Sequence, residues 1–441
     1  MIRPVGVLGI ALALAWMAAS VAGAEALVVI TPHPEEVRRE FQEAFARWHQ
    51  RLYGSRVEID WRDPGGSGEA QRYVENEFKA HPEGIAVDVF FGGGPEPFLA
   101  FASRHWLDGR EIPAEATDGI PPRLGGAELY DPDRAWFGAC LASFGILQNL
   151  KVQGLAGLPR VARWEDLARP ELRGWVAAGD PRNSGTMNNM YEAILQAYGW
   201  ERGWRLLTAI SGNVRRFDRF SSQSAKECTL GQVAYAFCID YYGFIQREAA
   251  GVGGLEFVLP EDFTSISPDG IAVLRGAPHA REAARFVTFV LSEEGQSLWY
   301  LPVGSPGGPA HHSIERLPMR PALYERLGSR SRITANPFTR NTEFHYDARL
   351  ARNRRDAVRT LFGCVMVDLH PELQAAWQAV IRRGHQPGEV AALGTVPISE
   401  SQALEFGKTT STDARLRQRM KLDWQEWARA KYRRLANNPS P

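Results

Sequence analysis

Cysteine is scarce in this chain: Cys140, Cys228, Cys238 and Cys364 are the only four among 441 residues. They are too few and too widely spaced for a disulfide-dense scaffold, and they lack the paired spacing of a structural zinc site. In an oxidising compartment they could form one or two bridges, whose pairing the sequence does not assign. A surplus of either charge is also missing, since 51 Lys and Arg balance 51 Asp and Glu. Without a basic excess to neutralise phosphates, a nucleic-acid partner is not expected. Long apolar runs are confined to one place, Val5 to Val21, preceded by Arg3 and followed by Ala22-Gly23-Ala24. That order reads as a cleavable export signal over residues 1–24, with the mature chain starting at Glu25. No cysteine lies beside the cleavage site to carry a lipid, and no later segment is apolar enough to be membrane-embedded. Catalytic signatures are absent as well. There is no G-x-S-x-G elbow, no H-E-x-x-H, no Walker loop, and no G-x-G-x-x-G after the first strand, so no enzymatic cofactor and no catalytic residue is predicted.

What is present is an alternation of strands and helices. Leu27 to Ile30 is a short β-rich run, and Val37, Phe41, Phe45 and Trp48 then recur at helical spacing. Val57 to Trp61 and Ala86 to Phe91 give two further strands, separated by a helix carrying Ala70, Val74 and Phe78. The β-α-β-α-β order implies a parallel sheet with helices on both faces, and ligands of such sheets sit beyond the carboxyl ends of the strands. The loops Thr31 to Pro34, Gly65 to Gly68 and Gly92 to Glu96 all fall at that edge. The pattern repeats with a strand at Gly174 to Ala178, a helix at about Met187 to Tyr198, and a strand at Gln232 to Ile239. A strand at Asp269 to Leu274 and a helix from about Arg281 to Tyr300 follow, and beyond about residue 305 the remainder reads as all helix.

Three turns rich in glycine and serine each open a helix: Ser67-Gly68, Ser184-Gly185-Thr186, and Ser221 to Ser224, where Ser224 and Glu227 have capping-box spacing. Such a helix start presents free N–H groups and partial positive charge to an oxyanion, although any one of them can be ordinary capping. Ser222, Gly93 and Gly94 join these as candidate ligand contacts. Arg182 could pair with an anion or lie at the surface. Asp240, Tyr241 and Tyr242 end a strand where cleft residues belong. Two phenolic oxygens suit a strongly Lewis-acidic cation such as ferric iron, and they equally suit an aromatic platform. His33 is a further candidate metal ligand or a solvated loop residue. The basic last helix is expected to be a solvated face, because Asp413, Asp423 and Glu426 interrupt its arginines and lysines.

The segments Ala86 to Phe91, Asp180 to Thr186, Gly231 to Tyr242, Asp269 to Leu274 and Ala283 to Leu298 resemble, in order and spacing, the periplasmic solute-binding components of ABC transporters. The likeness falls within the type 2 group that includes ferric-, thiamine- and phosphonate-binding proteins. It implies an α/β, two-lobed type 2 periplasmic-binding-protein fold with a helical C-terminal extension. Lobe 1 would take residues 25–130 and 268–305, lobe 2 residues 131–267, and the extension residues 306–441. The resemblance also implies a non-catalytic, monomeric periplasmic protein that captures ferric iron with a synergistic anion, or a phosphorylated solute, for an ABC permease. In the ferric members adjacent tyrosines and a loop histidine hold the metal, mapping to Tyr241, Tyr242 and His33, and the anion rests on Ser184, Gly185 and Thr186. The coordinating glutamate of that group is replaced here by glycine, with Glu96 a few residues further on. Alternatives are a secreted hydrolase with an unfamiliar site and a sensory solute receptor sharing the fold.

Overall fold

A computed structural model describes residues 26–437 except 125, 252, 334–335, 340–343 and 411–412. The export-signal expectation lies outside the described residues. The chain opens with β1 (Ala26–Ile30), α1 (Glu35–Tyr53), β2 (Glu58–Arg62), α2 (Ser67–Ala80), β3 (Val89–Phe91) and α3 (Pro95–Ala102). β1 pairs in parallel with both β2 and β3. Helix α1 buries Val37, Phe41, Phe45 and Trp48, the stripe predicted from their spacing. After the small hairpin β4 (Arg123–Leu124) and β5 (Ala127–Glu128) comes β6 (Phe137–Asn149), thirteen residues that are all buried. A second α/β unit follows, with α4 (Leu150–Ala156), β7 (Val176–Gly179), α5 (Gly185–Tyr198), α6 (Trp200–Asn213), β8 (Val214–Asp218) and α7 (Ser221–Thr229). It ends with β9 (Tyr235–Ile239), α8 (Asp240–Ala250) and β10 (Leu255–Val258), and β11 (Ile266–Val273) then returns to the first unit.

The sheet order is β2-β1-β3-β11-β6-β9-β7-β8, with β10 also on β6. Strand β6 belongs to both halves. Its residues 137–143 pair with β11, and 144–149 pair with β9 and β10. This is the two-lobed α/β arrangement, joined by antiparallel strands that run from one lobe into the other. The sequence reading did not identify β6. Buried on both faces, it shows no alternation, and Gly138 and Gly145 interrupt its apolar run.

The expected single helix from 281 to 300 is two helices, α9 (Ala280–Leu291) and α10 (Glu293–Tyr300). Ser292 separates them by accepting a hydrogen bond from Gly295 N at 3.2 Å, which makes it the N-cap of α10. The capping box predicted at Ser224 and Glu227 is not formed. Helix α7 starts earlier, at Ser221, and Ser224 Oγ instead donates to Asp218 at 2.9 Å.

The C-terminal part is not one appendage. Residues 301–320 are largely irregular and lead into α11 (Pro321–Leu327), and Ile314, Leu317, Met319 and Tyr324 join the core of the first lobe with Phe41, Phe91 and Trp299. The later helices, α12 (Ala348–Phe362), α13 (His370–Arg382), α14 (Pro387–Leu393), α15 (Glu400–Thr410) and α16 (Ala414–Asn437), pack into the core of the second lobe. Phe362 stacks on Tyr191 with ring centroids 4.3 Å apart, and Trp377 Nε1 donates to Asn213 at 2.7 Å. The four cysteines are buried free thiols.

Candidate ligand cleft between the lobes

A cleft of about 400 Å³ opens where the two lobes meet. Three helix starts border it: Ser67 of α2 from one lobe, and Gly185 of α5 and Ser221 of α7 from the other. They converge because each follows a strand of a parallel sheet, so all project from the carboxyl edge. The lobes come close there. A Cβ placed on Gly185 would lie 3.1 Å from Ser67 Oγ, and one on Gly94 would lie 3.8 Å from Asn189 Nδ2.

Of the residues singled out from the sequence, Ser67, Gly93, Gly94, Ser184, Gly185, Thr186, Ser222, Tyr241, Tyr242 and His33 all line this cleft. Three others do not. Arg182 turns away to pair with Asp180 at 2.7 Å and with Asp368 at 2.8 Å, fastening the extension to the second lobe. Asp240 is fully buried and accepts hydrogen bonds from Ser143 N and Oγ, both at 2.8 Å, and from Tyr241 N at 2.7 Å. It ties α8 to β6 and is spent on that. Gly68 lies one residue behind the helix start and is not part of the lining.

The glycine turn after β3 lines the cleft at Gly93 and Gly94 and is held from within the protein. Gly92, Gly93 and Gly94 have φ of 99°, 102° and 76°, a left-handed run open to glycine. It curls the amides of Gly93 and Gly94 onto Asp269 Oδ1 at 2.5 and 2.8 Å. Those donors are occupied by the protein's own carboxylate.

Asp269 and Arg316 form the floor, and neither was predicted as a site residue. Arg316 sits in the irregular segment after Pro309. Its N donates to Trp299 O at 2.7 Å, and Leu141 N donates to Leu317 O at 2.7 Å, which lays the segment beside β6. Its Nη1 donates to Asp269 Oδ2 at 2.5 Å. The side chain is 2 % exposed, yet Nε and Nη2 have no partner among the described residues. Burial alone would raise the Asp269 carboxyl, but Arg316, His33 and the Gly94 amide hold it down at about 2. Burial opposes the charge on Arg316, and Cys140, Asp269 and Asp240 around it more than compensate, so its pKa is raised. A fixed guanidinium with two unfilled donors therefore faces the cleft.

His33 packs edge-on against Phe91 at 4.7 Å, with Nε2 3.9 Å from Asp269. Burial lowers its pKa to about 4, against the pull of Asp269, so the ring is neutral near pH 7. Tyr241 and Tyr242 lie with ring centroids 5.1 Å apart, and burial raises both phenols. Tyr241 Oη has no partner among the described residues, and the Arg316 guanidinium lies 5.8 Å from the Tyr241 ring centroid. No cluster of three or more His, Cys, Asp or Glu able to hold a metal ion occurs among the described residues. Arg355, also missed from sequence, enters the lining from α12 of the extension.

Residues 106–315 match a family described as bacterial extracellular solute-binding proteins. The phosphoglycerate transport regulatory protein PgtC of Salmonella typhimurium is 26 % identical over 300 residues, covering 65 % of this chain and 69 % of its own length. Among solved structures, the periplasmic binding protein AfuA from Actinobacillus pleuropneumoniae, with exogenous fructose-6-phosphate bound, superposes with a TM-score of 0.55 at 18 % identity. That match covers 81 % of this chain and 99 % of AfuA. Iron-bound HitA from Pseudomonas aeruginosa gives 0.53 at 21 % identity, over 71 % and 90 %. No helix among the described residues is long and apolar enough to cross a membrane. The chain thus has the two-lobed type 2 periplasmic-binding fold, and across the lobe junction its sequence is similar to the bacterial extracellular solute-binding proteins.

Proposed function

We propose that this protein is the periplasmic receptor of an ABC importer and captures a small phosphorylated anion between its lobes. In this reading residues 25–130 with 268–305 and residues 131–267 act as jaws, and the exported chain hands its cargo to a membrane permease without chemical change. The observation that carries the reading is Arg316, buried and charged, with Nε and Nη2 unfilled at the cleft floor. Two unfilled donors on a buried guanidinium are costly, and an entering oxyanion would satisfy them. The helix starts at Ser67, Gly185 and Ser221 add positive potential of the same sense. The names of PgtC and of the fructose-6-phosphate complex of AfuA accord with a phosphorylated cargo.

Ferric iron fits this cleft less well. The paired tyrosines favour it, as does the resemblance to HitA, but a trivalent cation would meet Arg316 beside Tyr241. The test is a calorimetric and thermal-shift panel of 3-phosphoglycerate, fructose 6-phosphate, inorganic phosphate and ferric citrate. A phosphorylated ligand at a hundred times its Kd should add about 2.7 kcal/mol of stability. Stabilisation by ferric citrate alone, with visible tyrosinate-to-iron absorption, would replace this reading by the iron one. A sensory role is the second reading, favoured by the regulatory name of the Salmonella relative. Retained uptake of the cargo in cells lacking this protein would decide for it.

A further inference from the structure

We infer that Arg355, supplied by the C-terminal extension, is a ligand-binding arginine that receives the phosphoryl group of the cargo. This rests on the anion reading of the cleft. Arg355 lines the cleft, and a Cβ on Gly185 would lie 3.8 Å from its Nη2 and 3.1 Å from Ser67 Oγ. The guanidinium thus stands at the first residue of the fourteen-residue helix α5. A cation there is repelled by the helix dipole, because the unpaired N–H groups of the first turn carry positive charge. Its Nε is shielded from water and has no hydrogen-bond partner among the described residues, and no carboxylate pairs with Arg355 among them. An anion between it and the helix start would relieve the repulsion and fill the open donor.

The adjacent arginine shows that this orientation is built in. Arg354 is 1 % exposed and donates through Nε and Nη2 to Glu192 at 3.0 and 2.8 Å, while its Nη1 reaches Glu400. Glu192 lies on α5, so this buried pair fixes the rotation of α12 against α5. Asp347 secures the start of α12 by accepting from Arg349 N and Leu350 N, both at 2.9 Å. With Arg354 locked inward, its neighbour Arg355 is delivered to the cleft. The Ser67 hydroxyl, from the opposite lobe, faces the same point. A dianionic phosphoryl oxygen set would bridge Arg355, the amides at the start of α5 and Ser67, and so draw the lobes together.

The test is calorimetry on the full mature chain with 3-phosphoglycerate, fructose 6-phosphate and inorganic phosphate, using R355A, R355K and the control R352A at an exposed site on the same helix. R355A should weaken the esters about 10- to 100-fold. R355K should fall between, because it keeps the charge but not the fork, and R352A should bind as wild type. A matching loss for inorganic phosphate assigns Arg355 to the phosphoryl group itself, and a loss confined to the esters assigns it to the esterified form. The unliganded unfolding midpoint of R355A should be unchanged or higher, since a repelled charge has been removed. Wild-type binding retained in full by R355A would overturn this inference alone, as would an unliganded midpoint that falls. A wild-type chain that binds none of the three probes would overturn the anion reading, and this inference with it.

Discussion

The Arg316 guanidinium donates through Nη1 to Oδ2 of Asp269 at 2.5 Å, joining the segment after Pro309 to the strand that re-enters the first lobe. Both groups are buried, and Asp269 also accepts two backbone amides. Removing one member of such a pair leaves the other charge uncompensated. Arg316→Met should therefore cost about 3–5 kcal/mol in urea unfolding of the unliganded protein. It should also abolish anion binding. A variant of wild-type stability would show that the pair is not coupled to folding.

Acid sensitivity follows from the two groups beside each other at the floor. His33 falls from 6.5 to about 4 on folding. Between those values the unfolded chain binds the extra proton, so stability is complete above about pH 6.5 and declines as the pH falls towards 4. The loss amounts to about 3 kcal/mol. Asp269, held at about 2 against an ordinary 3.8, contributes stability above 3.8 that disappears as the pH drops through 2. Unfolding midpoints taken from pH 7 to 4 should slope downward in wild type and flatten in His33→Phe. An identical slope in both would sink the assignment to His33.

The order of strands and helices in the two lobes could be read from the sequence because buried helix stripes and short apolar runs alternate there. Val37, Phe41, Phe45 and Trp48 are an example, all turned to the core. Strand β6 could not be read, because a strand covered on both faces carries no period. The cleft was half legible. Ser67, Ser184 to Thr186 and Tyr241-Tyr242 follow from local turn chemistry at strand ends. Arg316 and Arg355 have no local signature. Each reaches the cleft only through distant packing, Arg316 beside β6 and Arg355 through the lock between Arg354 and Glu192. The hydrogen bonds made by the Gly93 and Gly94 amides have no local signature either, since their partner Asp269 is a residue of another strand.

Packing of the extension onto the second lobe makes its aromatic contacts structural. Phe362 is 1 % exposed and lies nearly parallel to the Tyr191 ring, with an interplanar angle of 7°. Phe362→Ala should destabilise the protein by about 3–5 kcal/mol. Hydrogen exchange should quicken in α5 and α12 before it does in α1. Protection that drops uniformly across both lobes would show that the extension is not specifically a second-lobe element.

The lock that orients α12 is testable by its asymmetry. Arg354→Met alone strands Glu192, whose carboxyl burial already pushes upward, and should cost about 3–5 kcal/mol. The double change Arg354→Met with Glu192→Leu removes both charges and should recover most of that loss. Double-mutant analysis of unfolding free energies checks it. Additive losses would mean that the two side chains are not energetically coupled.

Strand β6 has a consequence for how such a chain can be divided or enlarged. Because its first seven residues pair with β11 and its last six with β9 and β10, neither half owns a finished set of strands. A fragment cut between them would expose a raw ladder of N–H and C=O groups and should aggregate rather than fold. Helices α12 to α16 interrupt no such ladder, because they join the second lobe through side chains of its core and leave every strand pairing intact.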